Sequence, residues 1–222
     1  RKNEKQKNAS NQVQTARIMA NGDLLYHDAL YMSALQADGS YDFTENFTYV
    51  KPWLKQADLV LGDFEGTVNP DYPLSGYPLF NAPQSVTAAI NDAGYDVMDL
   101  AHNHILDSGL EGAFTTADAF KKVGIDPIGV YEKPVRDKAP LLIKNVNGIK
   151  VAILSYAYGY NGLESNLTDK EVADHLSNLD EKRMKSEIQL AEKEADITVI
   201  MPQMGVEYRL EPTDEQVKLY HK

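Results

Sequence analysis

Short apolar segments that alternate with helical patterns are the feature that most restricts the fold of this chain. Such an alternation is typical of an α/β protein with a largely parallel sheet, because each helix returns the chain to the start of the next strand. The pattern predicts strands at residues 18–20, 59–61, 97–101, 125–130, 141–146, 149–156 and 197–201. It predicts helices at residues 28–36, 48–56, 84–93, 110–123 and 180–195, and one that begins near Thr213.

Turn-forming residues separate these elements. Asn147-Gly148, between two predicted strands, indicates a β-hairpin, so part of the sheet is expected to be antiparallel. Residues 70–83 are rich in Pro, Gly and Tyr and are predicted to form a loop. The run from Thr213 to Gln216 is typical of a helix capping box, but the chain reaches Lys222 soon afterwards. We therefore expect a domain that is truncated at its C-terminus and lacks at least one further strand.

The composition restricts the class of protein and of partner. The chain has 222 residues, of which 43% are hydrophobic and 25% are charged, as is typical of one folded domain in water. Its 22 Lys and Arg against 33 Asp and Glu give a net charge of −11. This acidic balance argues against nucleic acid and against a membrane surface as partners. It also disfavours an anionic substrate unless a metal ion reverses the local field.

The N-terminal residues differ from the acidic body of the chain. Residues 1–15 are polar and begin with several basic residues. We expect a flexible leader that follows an excised signal or membrane anchor, with an irregular natural terminus as the alternative. The folded domain is expected over residues 16–222, where no apolar run approaches the roughly 20 residues of a membrane span. The chain has no cysteine, which excludes disulfides, thiolate metal sites and a cysteine nucleophile.

Polar side chains follow four of the predicted strands. They are Asp23 after the first strand, Asp63 and Glu65 after the second, His102, Asn103, His104 and Asp107 after the third, and Gln203 and Glu207 after a later one. Because ligands bind beyond the carboxyl ends of the strands in open α/β sheets, we expect these groups to converge on one edge. Carboxylates, a carboxamide oxygen and an imidazole suit Mn²⁺, Mg²⁺, Fe or Zn²⁺. A histidine beside the metal can donate a proton to a leaving group.

Each of these residues has an ordinary structural explanation when it is taken alone. Asp23 is typical of a turn or a helix N-cap, and Asn103 of an Asx turn. His102 fits a structural or surface role better than that of a metal ligand. His104 is the stronger candidate because Asp107 follows at helical distance. The shared position at strand ends favours a metal site over these separate explanations.

The order of the motifs resembles one protein family. The motifs are Gly22-Asp23, Gly62-Asp63-Phe64-Glu65, Ala101-His102-Asn103-His104 with Asp107, and Met204-Gly205-Val206-Glu207-Tyr208, supported by Phe80-Asn81-Ala82-Pro83 and Tyr158-Gly159-Tyr160-Asn161-Gly162. From residue 16 to its end the chain resembles the CapA family of bacterial capsule synthesis proteins. That family is linked to poly-γ-glutamate and is related to the calcineurin-like metallophosphoesterases.

The resemblance implies a layered α/β/β/α sandwich with its site at the strand ends. It implies metal ligands at Asp23 and Asn103. The second ligand position falls on Asp63 or Glu65, and Glu65 is favoured because the family usually has Glu there. The residue that contacts the scissile group and acts as the catalytic acid would be the histidine at position 104, oriented by the catalytic aspartate at position 107.

The resemblance also implies a substrate-binding mouth and shows where the chain departs from the family. The substrate-binding residues would be Asn161, Gln203 and Glu207. Gln203 stands where the family usually has His, and His102 stands where Asn is common. A closing Gly-His-Pro-His segment, which would supply two further histidines, is not found within the sequence. The ligand set is therefore incomplete, and the expectation is either a divalent cation (Mn, Mg, Fe or Zn) or no metal.

Three functional hypotheses follow. The first is a protein of a Gram-positive bacterium, anchored at the extracytoplasmic face of the cell membrane, that makes, exports or attaches an anionic capsule polymer of the poly-γ-glutamate type. It would use metal-assisted attack on a phosphoester or amide, and its partners would be the polymer or the membrane machinery that synthesises it. The second is a non-catalytic binding or assembly subunit on the same scaffold. The third, an intracellular metal-dependent phosphoesterase, is weaker because His is expected at position 203.

Overall fold

The computed structural model describes residues 13–135 and 140–222. Its strands are β1 (Ile18–Leu25), β2 (Leu59–Glu65), β3 (Val97–Asp99), β4 (Asp126–Ile128), β5 (Leu142–Val146), β6 (Ile149–Ala157) and β7 (Ile197–Gln203). Its α-helices are α1 (Asp28–Ala34), α2 (Lys51–Leu54), α3 (Ser85–Ala93), α4 (Gly109–Lys122), α5 (Asp169–His175), α6 (Glu181–Glu194) and α7 (Asp214–Tyr220). Short 3₁₀ helices occupy Thr44–Phe47 and Leu163–Asn166.

The strands form two sheets. The first is parallel throughout and has the order β1-β2-β3-β4. The second has the order β5-β6-β7, with an antiparallel β5–β6 hairpin and a parallel β6–β7 pair. Asn147 and Gly148 close the hairpin with φ values of 53° and 89°, the left-handed conformation that a type I′ turn needs. The predicted α/β class with one antiparallel hairpin is confirmed.

The alternation of side chains along the strands produces four layers. Leu61 of β2 packs in the apolar cluster between the two sheets, whereas Phe64 of β2 packs on the other face, against Phe120 of α4. On the far side of the second sheet, Tyr156 of β6 packs with Met184 of α6. The layers are therefore helices, sheet, sheet and helix, which is the α/β/β/α sandwich that the family resemblance implied.

The largest difference from the predicted elements is at residues 48–56. One helix was predicted there, but the structure has the 3₁₀ helix Thr44–Phe47 followed by the four residues of α2. Pro52 fits the first turn of a helix and cannot lie in a helix interior without loss of a backbone hydrogen bond. The prediction of this helix rested on the helical spacing of Val50, Trp53 and Leu54 as one apolar face, but Trp53 is 65% exposed.

The strand boundaries also differ from the prediction, and this places site residues inside the strands. β1 and β2 continue beyond their predicted ends and include Asp23 and Glu65, and β7 continues to Gln203. β3 ends earlier than predicted, at Asp99. Helix α5 lies in a segment that the sequence indicated to be irregular. Asp23, Asp63, Glu65 and Gln203 therefore lie inside the strands, whereas residues 102–107 and Glu207 follow the strand ends as expected.

Two remaining expectations concern the N-terminal leader and membrane-spanning segments. Most of the predicted leader, residues 1–12, lies outside the described residues. Across residues 13–135 and 140–222, none of the helices has the length and apolar character needed to cross a membrane.

Candidate active site

Three aspartates lie side by side at the ends of β1, β2 and β3. In the strand register Asp23 is paired with Asp63, and Asp63 with Asp99. An irregularity in β1 between Ala20 and Asp23 sets this register. Because paired residues of parallel strands point to the same face, the three carboxyl groups share the face that meets the second sheet.

Asp99 was missed by the sequence analysis. The predicted strand ran to residue 101, so Asp99 appeared to lie in a strand interior rather than at a strand end. Asp99 lies two residues after Val97, and residues i and i+2 of a strand share a face. Because Val97 is buried in the inter-sheet cluster, this spacing indicates that Asp99 faces the second sheet. The Asp99 carboxylate accepts a hydrogen bond from the Ala101 N–H at 2.8 Å.

Burial and mutual repulsion make the charged forms of these carboxyls unfavourable. Asp63 and Glu65 are each 8% exposed and Asp99 is 3% exposed, whereas Asp23 is exposed. Burial, followed by the charges of Asp99 and Asp23, raises the pKa of Asp63. Burial and contact with Asp23 raise the pKa of Glu65, and burial raises the pKa of Asp99. A proton or a cation is needed to offset this concentration of negative charge.

The donors at this edge suit a divalent cation chemically. Carboxylate oxygens of Asp23, Asp63 and Glu65 and the carboxamide oxygen of Asn103 are hard ligands of the type that Mg²⁺ and Mn²⁺ prefer. Asp63 Oδ1 is buried and has no hydrogen-bond partner, so it is an open acceptor. Within the described ranges, however, no group of three or more His, Asp or Glu side chains is arranged to hold a metal ion.

Asn103 and Gln203 join the two sheets through a pair of hydrogen bonds. The Asn103 backbone N–H donates to Gln203 Oε1 at 2.7 Å, and Gln203 Nε2 donates to Asn103 Oδ1 at 2.9 Å. Asn103 Nδ2 in turn donates to Asn161 Oδ1 at 3.2 Å. Gln203 therefore orients the predicted ligand Asn103, while one lone pair of Asn103 Oδ1 remains free to accept another contact.

His104 is held by Asp107 and presents its other ring nitrogen to the carboxylates. His104 Nδ1 lies 2.8 Å from Asp107 Oδ2, and His104 Nε2 lies 3.9 Å from Glu65 Oε1. Burial alone would lower the pKa of His104, but the hydrogen bond to Asp107 and the charges of Asp107, Glu65 and Glu207 outweigh it and raise the pKa. The geometry thus favours a protonated imidazole, which is suited to act as a general acid.

His102 is buried beneath this group. Burial, together with the neighbouring His104, lowers the pKa of His102 to about 3, so the ring is neutral. Its Nδ1 accepts a hydrogen bond from the His104 backbone N–H at 3.2 Å. This is the structural role favoured by the sequence analysis, in the interior rather than on the surface.

The remaining predicted residues surround one cleft of about 440 Å³. The residues that line it include Asp23, Glu65, Asn103, Tyr158, Gln203 and Glu207. Asn161 lies at its edge, with Nδ2 at 3.5 Å from His104 Nε2. Asp63 instead lines an adjoining cavity of about 420 Å³ together with Asp99. The structure therefore brings the predicted residues together, with Asp63 and Asp107 behind the cleft surface; the chemical roles assigned to all of them remain predictions.

We expect Asp99→Asn to reduce the loss of stability at alkaline pH. The folded-state pKa of Asp99 is raised above its unfolded value near about 4. Its contribution to stability is therefore fully present below that value and is lost as the pH rises through the folded pKa. The free energy of unfolding is measured with urea in the presence of EDTA at about pH 5 and about pH 9. Its decrease between these pH values should be smaller in Asp99→Asn than in the wild type, by on the order of 1 kcal/mol.

An exposed aspartate provides the control for this experiment. Asp118, on the surface of α4, can be changed to Asn without altering the buried cluster. Asp118→Asn should follow the wild-type pH curve. If Asp99→Asn also follows it, the buried carboxyl does not govern the pH dependence.

Comparison with known proteins identifies close relatives of the sequence. Residues 17–222 match the family described as bacterial capsule synthesis protein PGA_cap. Capsule biosynthesis protein CapA of Bacillus anthracis is 29% identical over 181 residues, which cover 78% of this chain and 43% of that protein. PGA biosynthesis protein CapA of Bacillus subtilis (strain 168) is 27% identical over 176 residues, which cover 78% and 46%. The chain thus spans less than half the length of these curated relatives.

A solved structure has the same fold. The calcineurin-like phosphoesterase YfkN from Bacillus subtilis is 16% identical to this chain, with a TM-score of 0.50 over 90% of this chain and 65% of that one. This likeness confirms the phosphoesterase-type sandwich. The match over residues 17–222 leads to one conclusion: the chain belongs to the PGA_cap family of bacterial capsule synthesis proteins.

Proposed function

We propose that this chain is the phosphoesterase-like domain of a protein that makes, exports or attaches an anionic capsule polymer of the poly-γ-glutamate type. The observation that carries the proposal is the cleft in which Asp23, Glu65 and Asn103 lie beside His104. Family membership and the names of two relatives, in capsule and PGA biosynthesis, support the polymer class. The polymer itself or its membrane synthesis machinery would be the partner.

The place of action belongs to the same proposal. Two of the relatives come from Bacillus species and are named for capsule or PGA biosynthesis. This supports a protein of a Gram-positive bacterium that acts at the extracytoplasmic face of the cell membrane and is held there by an N-terminal anchor.

In the proposed mechanism, His104 supplies a proton and the other residues orient it. A divalent cation held by Asp23, Glu65 and Asn103 would contribute positive charge that polarises the scissile group. Asp107 holds Nδ1 of His104, so that Nε2 faces the cleft. As water attacks the phosphorus or carbonyl carbon of a phosphoester or amide, the bond to the leaving group breaks. The proton on Nε2 passes to the leaving oxygen or nitrogen, and the proton released by the attacking water then restores the proton on Nε2.

The charge of the chain makes a cation necessary for a polyanionic substrate. The net charge is −11, and Glu65 and Glu207 line the cleft. A polyanion would be repelled from this surface unless bound cations reversed the local field.

A second candidate function is that of a non-catalytic binding or assembly subunit. The observation that favours it is the Asn103–Gln203 pair, in which Gln203 uses its side chain to hold a neighbour where the family usually has His. In this case the cleft would hold polymer or a partner protein without cutting a bond.

Binding of Mn²⁺ distinguishes the two functions. We expect titration calorimetry to show stoichiometric Mn²⁺ binding by the wild-type protein and at least about tenfold weaker binding by Glu65→Gln, which loses a charged ligand. The control is Glu192→Gln, an exposed position on α6, which should bind like the wild type. Absence of binding by the wild type, or equal binding by all three proteins, would favour the assembly subunit.

A further inference from the structure

A segment beside His104 has no role in the chemistry proposed above. We call residues 67–82 the clamp segment; it contains Phe80, Asn81 and Ala82 of the Phe80-Asn81-Ala82-Pro83 motif. Its ends are tied by backbone hydrogen bonds, from the Thr67 N–H to Phe80 O at 3.1 Å and from the Ala82 N–H to Thr67 O at 2.8 Å. Ser75 and Asn81 also exchange backbone hydrogen bonds of 2.9 and 3.1 Å. The segment therefore folds back on itself into a compact unit.

The side chain of Asn81 is the centre of this unit. It is 3% exposed. Its Oδ1 accepts a hydrogen bond from the Asn69 N–H at 2.8 Å and lies 3.1 Å from Thr67 Oγ1. Its Nδ2 lies 2.9 Å from Asn69 O, 3.1 Å from Tyr72 O and 3.2 Å from Pro73 O. A buried carboxamide whose donors and acceptor are all used fixes the local backbone in one conformation.

Phe80, the residue before Asn81, connects the clamp segment to the cleft. Its backbone N–H donates to Asp107 Oδ2 at 2.6 Å. The same oxygen lies 2.8 Å from His104 Nδ1. The Phe80 ring packs edge-on against the His104 ring, with 4.8 Å between centroids. Phe80 thus constrains both the hydrogen-bond partner and the ring plane of His104.

The end of β2 is shaped to receive Phe80. Gly66, which follows Glu65, has a φ of 146°, a conformation that residues with a side chain rarely adopt. A Cβ at this position would lie 3.2 Å from Phe80 Cβ, closer than such atoms normally approach. The absence of a side chain at Gly66 therefore leaves the room that Phe80 occupies beside the end of β2.

We propose that Asn81 is a positioning residue for His104. By holding the clamp segment, it fixes the Phe80 N–H on Asp107 Oδ2, and Asp107 then keeps His104 Nδ1 as a donor and Nε2 facing the cleft. The catalytic consequence rests on the proposed function, whereas the structural consequence for His104 does not.

The test compares two variants of Asn81 with a matched control. Asn81→Asp keeps the acceptor and removes the donors to three carbonyls, and Asn81→Ala removes both. Asn91→Asp makes the same change of charge on the exposed surface of α3. For each protein that is folded by circular dichroism, the readouts are the Nδ1 proton signal of His104 in ¹H–¹⁵N NMR and the kinetics of hydrolysis of an alkyl phosphodiester with Mn²⁺.

We expect the Nδ1 proton signal to be lost or shifted in both Asn81 variants and retained in Asn91→Asp. We also expect kcat to fall by about 10- to 100-fold with little change in KM. An unchanged Nδ1 signal in folded Asn81→Asp would overturn the proposal. If no protein turns over the phosphodiester, the proposed function fails, and the NMR signal still decides the positioning role. If both Asn81 variants unfold, the test uses Thr67→Val, which removes the hydroxyl contacts to Phe80 O, Asn81 Oδ1 and Ser108 Oγ. Loss or shift of the Nδ1 signal in this variant supports the proposal, and an unchanged signal overturns it.

Discussion

Replacing His104 with alanine is expected to lower the kcat for phosphodiester hydrolysis by about 100- to 10,000-fold. The imidazole is held at Nδ1 by Asp107, and its Nε2 faces the cleft 3.9 Å from Glu65 Oε1. Although burial alone would lower it, the hydrogen bond to Asp107 and the surrounding carboxylates raise the pKa of His104, which favours the protonated ring. Without this proton, the leaving group departs as an anion, which raises the barrier. The measurement is hydrolysis of an alkyl phosphodiester with saturating Mn²⁺, because an alkoxide leaving group requires a proton.

A second histidine provides the control for this experiment. His221 is exposed and is not among the residues that line the cleft, so His221→Ala should retain wild-type activity. Equal activity of His104→Ala and the wild type would remove His104 from any catalytic role. Absence of activity in the wild type would support the assembly subunit.

Arg183→Met is expected to reduce the free energy of unfolding by about 3–5 kcal/mol. Arg183 Nε lies 2.9 Å from Glu187 Oε1, and Glu187 Oε2 accepts a hydrogen bond from the Tyr156 hydroxyl at 2.6 Å. Glu187 is 6% exposed, between α6 and the second sheet. Loss of the guanidinium leaves a buried carboxylate without a counter-ion, which must either remain charged or bind a proton. Urea denaturation measures the loss.

The control for this prediction is an ion pair at the surface. Lys144 and Asp126 form a pair at 2.7 Å in which the side chains are 32% and 50% exposed. Solvent screens such a pair, so Lys144→Met should cost less than about 1 kcal/mol. The double variant Arg183→Met with Glu187→Gln should recover part of the lost stability. A loss in Arg183→Met no larger than that in Lys144→Met would contradict the prediction.

The sequence was sufficient to predict the fold class and the composition of the cleft. The apolar and helical patterns indicate the succession of strands and helices along the chain. Parallel strands then bring the polar residues at their ends to one edge of the sheet. Asp23, Asp63, Glu65 and Asn103 were thus candidates from position alone, and the preference for Glu65 over Asp63 came from the family resemblance. The layered arrangement of two sheets came from the family resemblance, because periodicity within a strand does not indicate which sheet it joins.

Other features depend on contacts that the sequence does not reveal. Asp99 became recognisable only when β3 was found to end at that residue. The bonds between Asn103 and Gln203 join residues 100 positions apart in two different sheets. Phe80 acts through its backbone N–H, which every residue except proline possesses, so its identity gave no sign of the contact. The prediction of one helix at residues 48–56 was wrong. It was based on the helical spacing of Val50, Trp53 and Leu54 and ignored Pro52, which is accommodated only in the first turn of a helix.

The amide pair of Asn103 and Gln203 has an evolutionary consequence. Each side chain satisfies the other, so a substitution at either position alone leaves a polar group stranded at the junction of the sheets. Exchange of Gln203 for histidine would free the oxygen of Asn103 and, in the same step, supply a nitrogen donor to the cleft. A single substitution, Gln203→His, therefore separates an amide pair that bridges the two sheets from an additional nitrogen donor at the cleft.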